Sequence, residues 1–427
     1  MPSSVGIHPA IGVGTFGRAF APLPSNAPSP SGDAVAPAAQ PLPASTGTAP
    51  AAPVPARPLP VRLPTLTGLR FTAAFAVFAA HTYFTFWFDG VWEGNSAATF
   101  ALILARSGVA FFFLLSGFVL AWSARPGDRA GAFWRRRAAK IYPTHVVTWL
   151  AALLLIDWAG GRTTARQAVP NLFLVQSWWP VFDVYDSVNG VSWSLSCEAF
   201  FYLAFPLLIP LVRRIPAARL WACAGAAALA VILLPALVTA VTSAQPSFYG
   251  LPTTLHRYWA VYTFPPARLL EFVLGMLLAR ALAEAGGTRV RFRHALPALA
   301  AGYPLAMYVP FLYAITAVLV IPMALLVLAG AGADVRASRS PLRHPTAVWL
   351  GDISFAFYMV HMLVLTYGYR LVDEDRTGGD GFRALCAAAL LAVSVAVSWA
   401  VYAGVERPLT RLLGSGRRPV PRAPSGK

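Results

Sequence analysis

Apolar runs recur along this chain from residue 69 to residue 405, separated by short stretches in which arginine is concentrated. A bilayer's hydrocarbon core of about 30 Å takes about 20 apolar residues in helical form. On that scale the pattern predicts spans at 67–88, 99–122, 143–159, 195–212, 219–242, 264–283, 295–309, 311–331, 347–369 and 382–405. The seventh and eighth are the weakest, because Pro297, Pro304, Pro310 and Pro322 interrupt them. They read either as a tight hairpin or as one long broken helix, and the count of ten depends on that choice. The expected fold is all-α, a polytopic membrane protein of about ten transmembrane helices behind a disordered N-terminal tail. Residues 1–62, rich in Pro and Ala and without an apolar core-forming run, form that tail; 63–412 form the membrane domain and 413–427 a basic C-terminal tail. The N-terminal segment lacks the basic start and compact apolar stretch of a signal peptide, so it reads as cytoplasmic. The connection 160–194 is long, aromatic and poor in charge. Irregular backbone at membrane depth survives only when buried in protein or lining a wet cavity, so this connection is expected to cap an internal site.

Composition agrees with the pattern: 57% of the residues are hydrophobic and 12% are charged. A net charge of +17 would suit a nucleic-acid partner, but its placement argues otherwise. With a cytoplasmic N-terminus, the inward loops gather Arg125, Arg129, Arg135, Arg136, Arg137 and Lys140, then Arg213 and Arg214, then Arg289, Arg291 and Arg293, then Arg336, Arg339 and Arg343. The outward loops hold few basic residues: Arg162, Arg166, Arg257, Arg370 and Arg376. That bias fits a lipid bilayer as the partner, a cell-membrane location, an even number of spans and both termini in the cytoplasm. Cys197, Cys223 and Cys386 show no metal-binding spacing and the seven histidines are scattered, so no metal is expected.

Arg70 and His81 lie eleven residues apart in the first span, just over three helical turns, so they share a face about 16 Å apart. An arginine at the membrane edge reaches water, whereas a histidine at mid-depth does not, and ionisable groups there point by default to function. The bland reading is a neutral histidine bridging two packed helices. His361 is a second imidazole in the middle of a span, open to the same two readings. Glu198 follows Ser194 by four positions, so the hydroxyl can bond the carboxylate; alternatively Glu198 only complements the helix dipole. Arg268 and Glu271, three apart, are expected to pair, more often a structural role than a catalytic one. Gly275 would permit close helix approach. Arg135, Arg136, Arg137 and Lys140, leading into Tyr142 and Pro143, suit a polyanion such as the phosphates of a coenzyme, or merely anchor the topology. Ser116, beside Gly117, is either a nucleophile or part of a small-residue packing notch; no GxSxG elbow is present. Arg106 lies within the second span and either snorkels or enters the site.

Taken in order, R70-x10-H81, G108-V…L-S116-G117-F118, R137-A-A-K140-I-Y142-P143, W193-S-L-S…E198…F-Y202, R268…E271-F…G275, L350-G351…F-Y358…H361 and E406-R407-P408 resemble the acyltransferase-3 family of integral membrane O-acyltransferases. The resemblance spans roughly 65–410. It implies a ten-span core that moves an acyl group from acyl-coenzyme A, with acetyl-coenzyme A the favoured donor, to a hydroxyl of a glycan, a lipid-linked sugar or a natural product such as a macrolide. It further implies a catalytic role for His81, an essential basic partner in Arg70, and a functional carboxylate in Glu198. Arg70, Arg136, Arg137, Lys140 and Tyr142 are the candidate coenzyme contacts; Ser116, Ser194, Arg268, Glu271 and His361 are further site candidates. Three positions depart from the family pattern: Ala110 where Asp is frequent, Lys140 where Arg is commoner, and Asp352 where a basic residue is frequent. The rival reading is a proton-coupled transporter of an acylated or sugar substrate, which intramembrane His, Arg and Glu would also suit; no internal repeat supports it. The acceptor's identity and the oligomeric state are not encoded in any of these motifs.

Overall fold

The computed structural model of the protein describes residues 59–60, 62–125, 127–242, 248, 250–372 and 378–414. The expected N-terminal tail up to residue 58 and the basic tail from 415 lie outside the described residues. Long helices cover the apolar runs: α1 (Pro64–Phe86), α2 (Ser96–Ser123), α3 (Ala130–Trp158), α4 (Trp193–Arg214), α5 (Leu220–Val241), α6 (Pro265–Glu284), α7 (Phe292–Ala306), α8 (Val320–Val335), α9 (Pro345–Val372) and α10 (Asp380–Val401). Among the described residues no strand forms. Among the described residues six stretches are long and apolar enough to cross a membrane: 96–123, 130–158, 190–214, 217–241, 345–372 and 380–413. The other four fall short for visible reasons. Both α1 and α6 hold polar or charged side chains, and α7 and α8, at 15 and 16 residues, are shorter than a bilayer core demands.

Two boundaries differ from the sequence expectation. After Pro310 the chain makes only a four-residue helical turn, Phe311–Ala314, and α8 begins at Val320 rather than at 311. Pro322 then falls in the first turn of α8, where a backbone N–H has no helical partner to lose. The prolines therefore mark helix ends, and α7 packs on α8 as a hairpin. At the other boundary α3 starts at Ala130, thirteen positions before the expected span, and runs straight through Pro143. Arg135, Arg136, Arg137 and Lys140 thus stand on a helix in place of a loop, and Ala and Arg favour helix strongly enough to extend it.

At the centre of the bundle is α2, whose most apolar window is 72% buried, against 22% for the stretch 380–413 at the periphery. Its main partner is α6, and α1 packs between α2 and α9. Glycine sets the closest crossings. A Cβ on Gly117 would stand 1.9 Å from the Phe272 carbonyl oxygen, and one on Gly275 would stand 2.0 Å from that of Leu114. The notch expected at Ser116–Gly117 and the close approach expected at Gly275 are two halves of one α2–α6 contact. Between α1 and α9, Gly351 meets Thr67 in the same way. The N-terminus of α1 has no cap from its own sequence. Asp334, from the end of α8, supplies one, accepting from the Thr65 backbone N–H at 3.0 Å and from its hydroxyl at 2.6 Å.

Candidate active site

The connection before α4 folds inward. Asn171, Gln176, Ser177, Asn189 and Ser192 are buried, and their side chains hold the irregular backbone. Asn171 Nδ2 donates to the Ser187 carbonyl (2.7 Å) and Ser192 Oγ (3.0 Å), and Gln176 Nε2 donates to the Ser192 carbonyl (3.1 Å). Asn189 Nδ2 donates to the Met359 carbonyl of α9 at 2.8 Å. Val188 has φ 60°, a left-handed conformation that a β-branched residue adopts only when its surroundings compel it. The N-terminus of α4 is consequently sunk in protein, and Glu198, which the sequence places near a span's edge, faces the interior.

There Glu198 shares a chamber of about 160 Å³ with Arg70, Ser116, Arg137, Lys140 and Tyr202. Val109, Phe112, Phe113, Leu115 and Val119 supply an apolar wall, and Ser354, Phe355 and Tyr358 supply the α9 side. Glu198 Oε1 accepts from Ser116 Oγ at 3.1 Å and from the Tyr202 hydroxyl, one turn along α4. Arg70 is close enough to feel the charges of Glu198, Arg137 and Asp352. Arg137 lies over the rings of Phe133 and Tyr202, 5.9 and 6.0 Å from their centroids, and its buried Nε has no hydrogen-bond partner. Lys140 pairs with Glu406, whose side chain is 1% exposed, in the π-helical turn Tyr402–Glu406. Three cations thus converge on one largely apolar cavity, an arrangement that can hold an anionic group and a greasy arm together.

Not every expected residue joins this chamber. Arg136 turns away to pair with Asp128, and the Tyr142 hydroxyl donates to the Leu172 carbonyl of the inward-folded connection at 3.0 Å. Ser194 lines the chamber but does not bond Glu198. It donates to the Val191 carbonyl (2.9 Å) and meets the Tyr358 hydroxyl at 2.8 Å, because a hydroxyl from α9 reaches it where local helix geometry alone would have offered the carboxylate. Arg268 and Glu271 do pair, Nη2 to Oε1 at 2.8 Å, both 1% exposed, outside the chamber.

His81 lies beyond the chamber's lining, against His361: Nδ1 of His81 is 2.9 Å from Nε2 of His361. Ser354, Tyr358 and His361 follow one another at helical spacing on α9, and the Tyr358 ring lies 5.8 Å from that of His361. One face of α9 therefore leads from Arg70 to His81, matching the shared face of α1 read from the eleven-residue spacing. On the same side Arg106 lies over Tyr258 and Tyr262, at 5.4 and 4.8 Å, with its Nε unpartnered, and its charge reaches His81. Tyr202, Tyr358 and Glu406 were not singled out as site residues from the sequence. Their signals were present but weak: Tyr202 stands four after Glu198, Tyr358 three before His361, and Glu406 directly after the last apolar run.

The helices bring Arg70, Arg137, Lys140 and Glu198 to one chamber and set the His81–His361 pair beyond its lining. The family described as Acyltransferase domain, acyltransferase-3, matches residues 63–403, and the chain belongs to that family. It is 43% identical over 376 residues to Acyltransferase MdmB of Streptomyces mycarofaciens, covering 86% of this chain and 96% of that protein. It is 29% identical over 164 residues to Nodulation protein 10 of Rhizobium leguminosarum bv. viciae, covering 34% of this chain and 43% of that protein. No solved structure matches it. The protein is therefore a membrane acyltransferase with an acceptor substrate.

Proposed function

We propose that this acyltransferase takes its acyl group, with acetyl favoured, from acyl-coenzyme A and delivers it to a hydroxyl of a sugar, a cell-surface glycan or a secondary metabolite. The observation that carries this reading is the convergence of Arg70, Arg137 and Lys140 on one chamber whose α9 wall continues to His81. Phosphates of the coenzyme suit the three cations, and the apolar flank of Phe112, Phe113 and Val119 suits the thioester arm. We read the protein as ten spans in the cell membrane with both termini cytoplasmic, which puts the Arg137 end on the side where acyl-coenzyme A is made.

In this reading His81 accepts the proton of the acceptor hydroxyl as that oxygen attacks the thioester carbonyl carbon. The C–O bond forms, the carbonyl π electrons move to oxygen, and Arg106 is the nearby cation able to balance that charge. Collapse breaks the C–S bond, and the proton passes from His81 to the departing thiolate. Ester and free coenzyme thiol leave, and His81 is neutral again. Glu198, held by Ser116 and Tyr202, counters the charge of the cations around it.

The test is thiol release. Membranes containing the protein, given acetyl-coenzyme A and a cell extract as the source of acceptors, are expected to release free thiol in step with the appearance of acetylated products. A proton-coupled transporter would release none, and that result would overturn the proposal.

A further inference from the structure

We infer that His361 is a positioning residue that fixes His81 in its Nδ1–H tautomer and leaves Nε2 as the bare nitrogen; the inference rests on the acyl-transfer reading for its functional consequence. His361 Nδ1 lies 3.1 Å from the carbonyl oxygen of Phe357, one turn earlier on α9. A carbonyl oxygen only accepts, so Nδ1 of His361 bears a proton. A neutral imidazole has one N–H, so Nε2 of His361 is a lone pair. The 2.9 Å contact to His81 then requires His81 Nδ1 to donate. His81 has spent its only N–H, and its Nε2 is left as an in-plane lone pair, the state a general base needs.

Ring geometry supports a true hydrogen bond. The two imidazoles are inclined by only 8° with centroids 5.2 Å apart. That separation matches coplanar rings joined end to end through one N–H···N bond, whereas rings stacked face to face would approach more closely.

The competing arrangement has His361 as a cation donating from both nitrogens, which would turn His81 over and leave Nε2 protonated. Its surroundings oppose this. His361 is 0% exposed, and the rings of Phe78, Phe357 and Tyr358 enclose it with centroids 6.3, 5.8 and 5.8 Å away. Among the described residues its polar contacts are His81 and the Phe357 carbonyl, with no carboxylate, and a buried charge without a partner is strongly disfavoured. Glu198 is committed to Ser116 and Tyr202. A helix carbonyl is a permanent acceptor, so the chain Phe357 carbonyl, His361, His81 is polarised in one direction only.

The experiment reads the tautomer directly. Full-length protein labelled with ¹⁵N-histidine is reconstituted in phospholipid bilayers, and the His81 signals are identified by their loss in His81→Ala. The expected wild-type spectrum has protonated Nδ1 and unprotonated Nε2 on His81, with a coupling across the N–H···N bond. A wild-type His81 protonated on Nε2 overturns the inference whatever the enzyme's activity. Two variants test the consequence, using acetyl-coenzyme A and release of its thiol. His361→Gln can present a carboxamide oxygen where Nε2 was, and is expected to keep the tautomer and stay within about tenfold of wild-type kcat. His361→Phe fills the space without an acceptor, and is expected to lose about 10²–10⁴-fold in kcat with KM for acetyl-coenzyme A unchanged, the size of a general-base contribution. If the tautomer is as inferred but a folded His361→Phe keeps full kcat, the positioning role is overturned. If the tautomer is as inferred and no thiol is released even by wild type, the acyl-transfer reading fails and the tautomer assignment stands. Should His361→Phe not fold, the wild-type spectrum together with His361→Gln still decides.

Discussion

Gly117→Ala adds one methyl group at the crossing on which the site's geometry depends. The new Cβ would stand 1.9 Å from the Phe272 carbonyl oxygen and 2.7 Å from its carbon. Ordinary contact begins near 3.4 Å, so α2 and α6 must part by about 1.5 Å. The obstacle is backbone and no rotamer change relieves it, so the penalty belongs at the upper end of the overpacking range, about 3 kcal/mol. The same displacement moves Ser116, the adjacent residue, away from Glu198. A 1 Å misplacement is worth about 10² in rate. Gly275→Ala strains the same crossing from the other side, 2.0 Å from the Leu114 carbonyl oxygen. Because one separation of the helices relieves both clashes, the double variant is expected to fall short of additivity. Gly225→Ala is the control: its Cβ meets nothing within 4 Å on α5, and Ala is the better helix former by about 1 kcal/mol. Thermal unfolding in detergent, alongside thiol release from acetyl-coenzyme A, reads both effects. If Gly117→Ala melts with wild type and works as fast, the close crossing and the reasoning built on it are wrong.

Other expected outcomes follow from single contacts. Arg268→Met strands a buried carboxylate and is expected to destabilise by about 3–5 kcal/mol, while Arg268→Met with Glu271→Leu recovers most of that loss and retains activity; a double variant that is stable but inactive would make the pair functional. Asp334→Ala removes the cap of α1, and chemical denaturation is expected to show a loss of about 0.5–2 kcal/mol. Arg137→Ala should raise KM for acetyl-coenzyme A more than it lowers kcat, since Arg137 lines the chamber and not the histidine pair; an unchanged KM would remove it from donor binding.

How much of this was legible in the sequence depended on how far apart the partners lie. Helices were legible because a bilayer enforces long apolar runs, and the Arg70–His81 face followed from spacing within a single helix. The Arg268–Glu271 pair, three residues apart, was legible for the same reason. Ser194 bonds elsewhere than Glu198 because Tyr358, 164 positions away and invisible to local periodicity, brings a competing hydroxyl. His81 and His361 are both visible in the sequence as intramembrane imidazoles, but their contact across 280 residues is not. The start of α8 was misplaced because proline was read as an interruption, when at Pro322 it marks a beginning. The pairing of Lys140 with Glu406, 266 positions away, is invisible to local spacing because it needs α3 and the last helical segment to meet.

The most direct measurement compares, by mass spectrometry, the glycans and secreted metabolites extracted from cells expressing wild type with those from cells expressing His81→Ala at equal membrane abundance. A species heavier by one acyl group is expected in the wild-type cells alone, its mass identifying both the acceptor and the acyl chain. The same acylated species formed by His81→Ala would contradict the claim that His81 is the base.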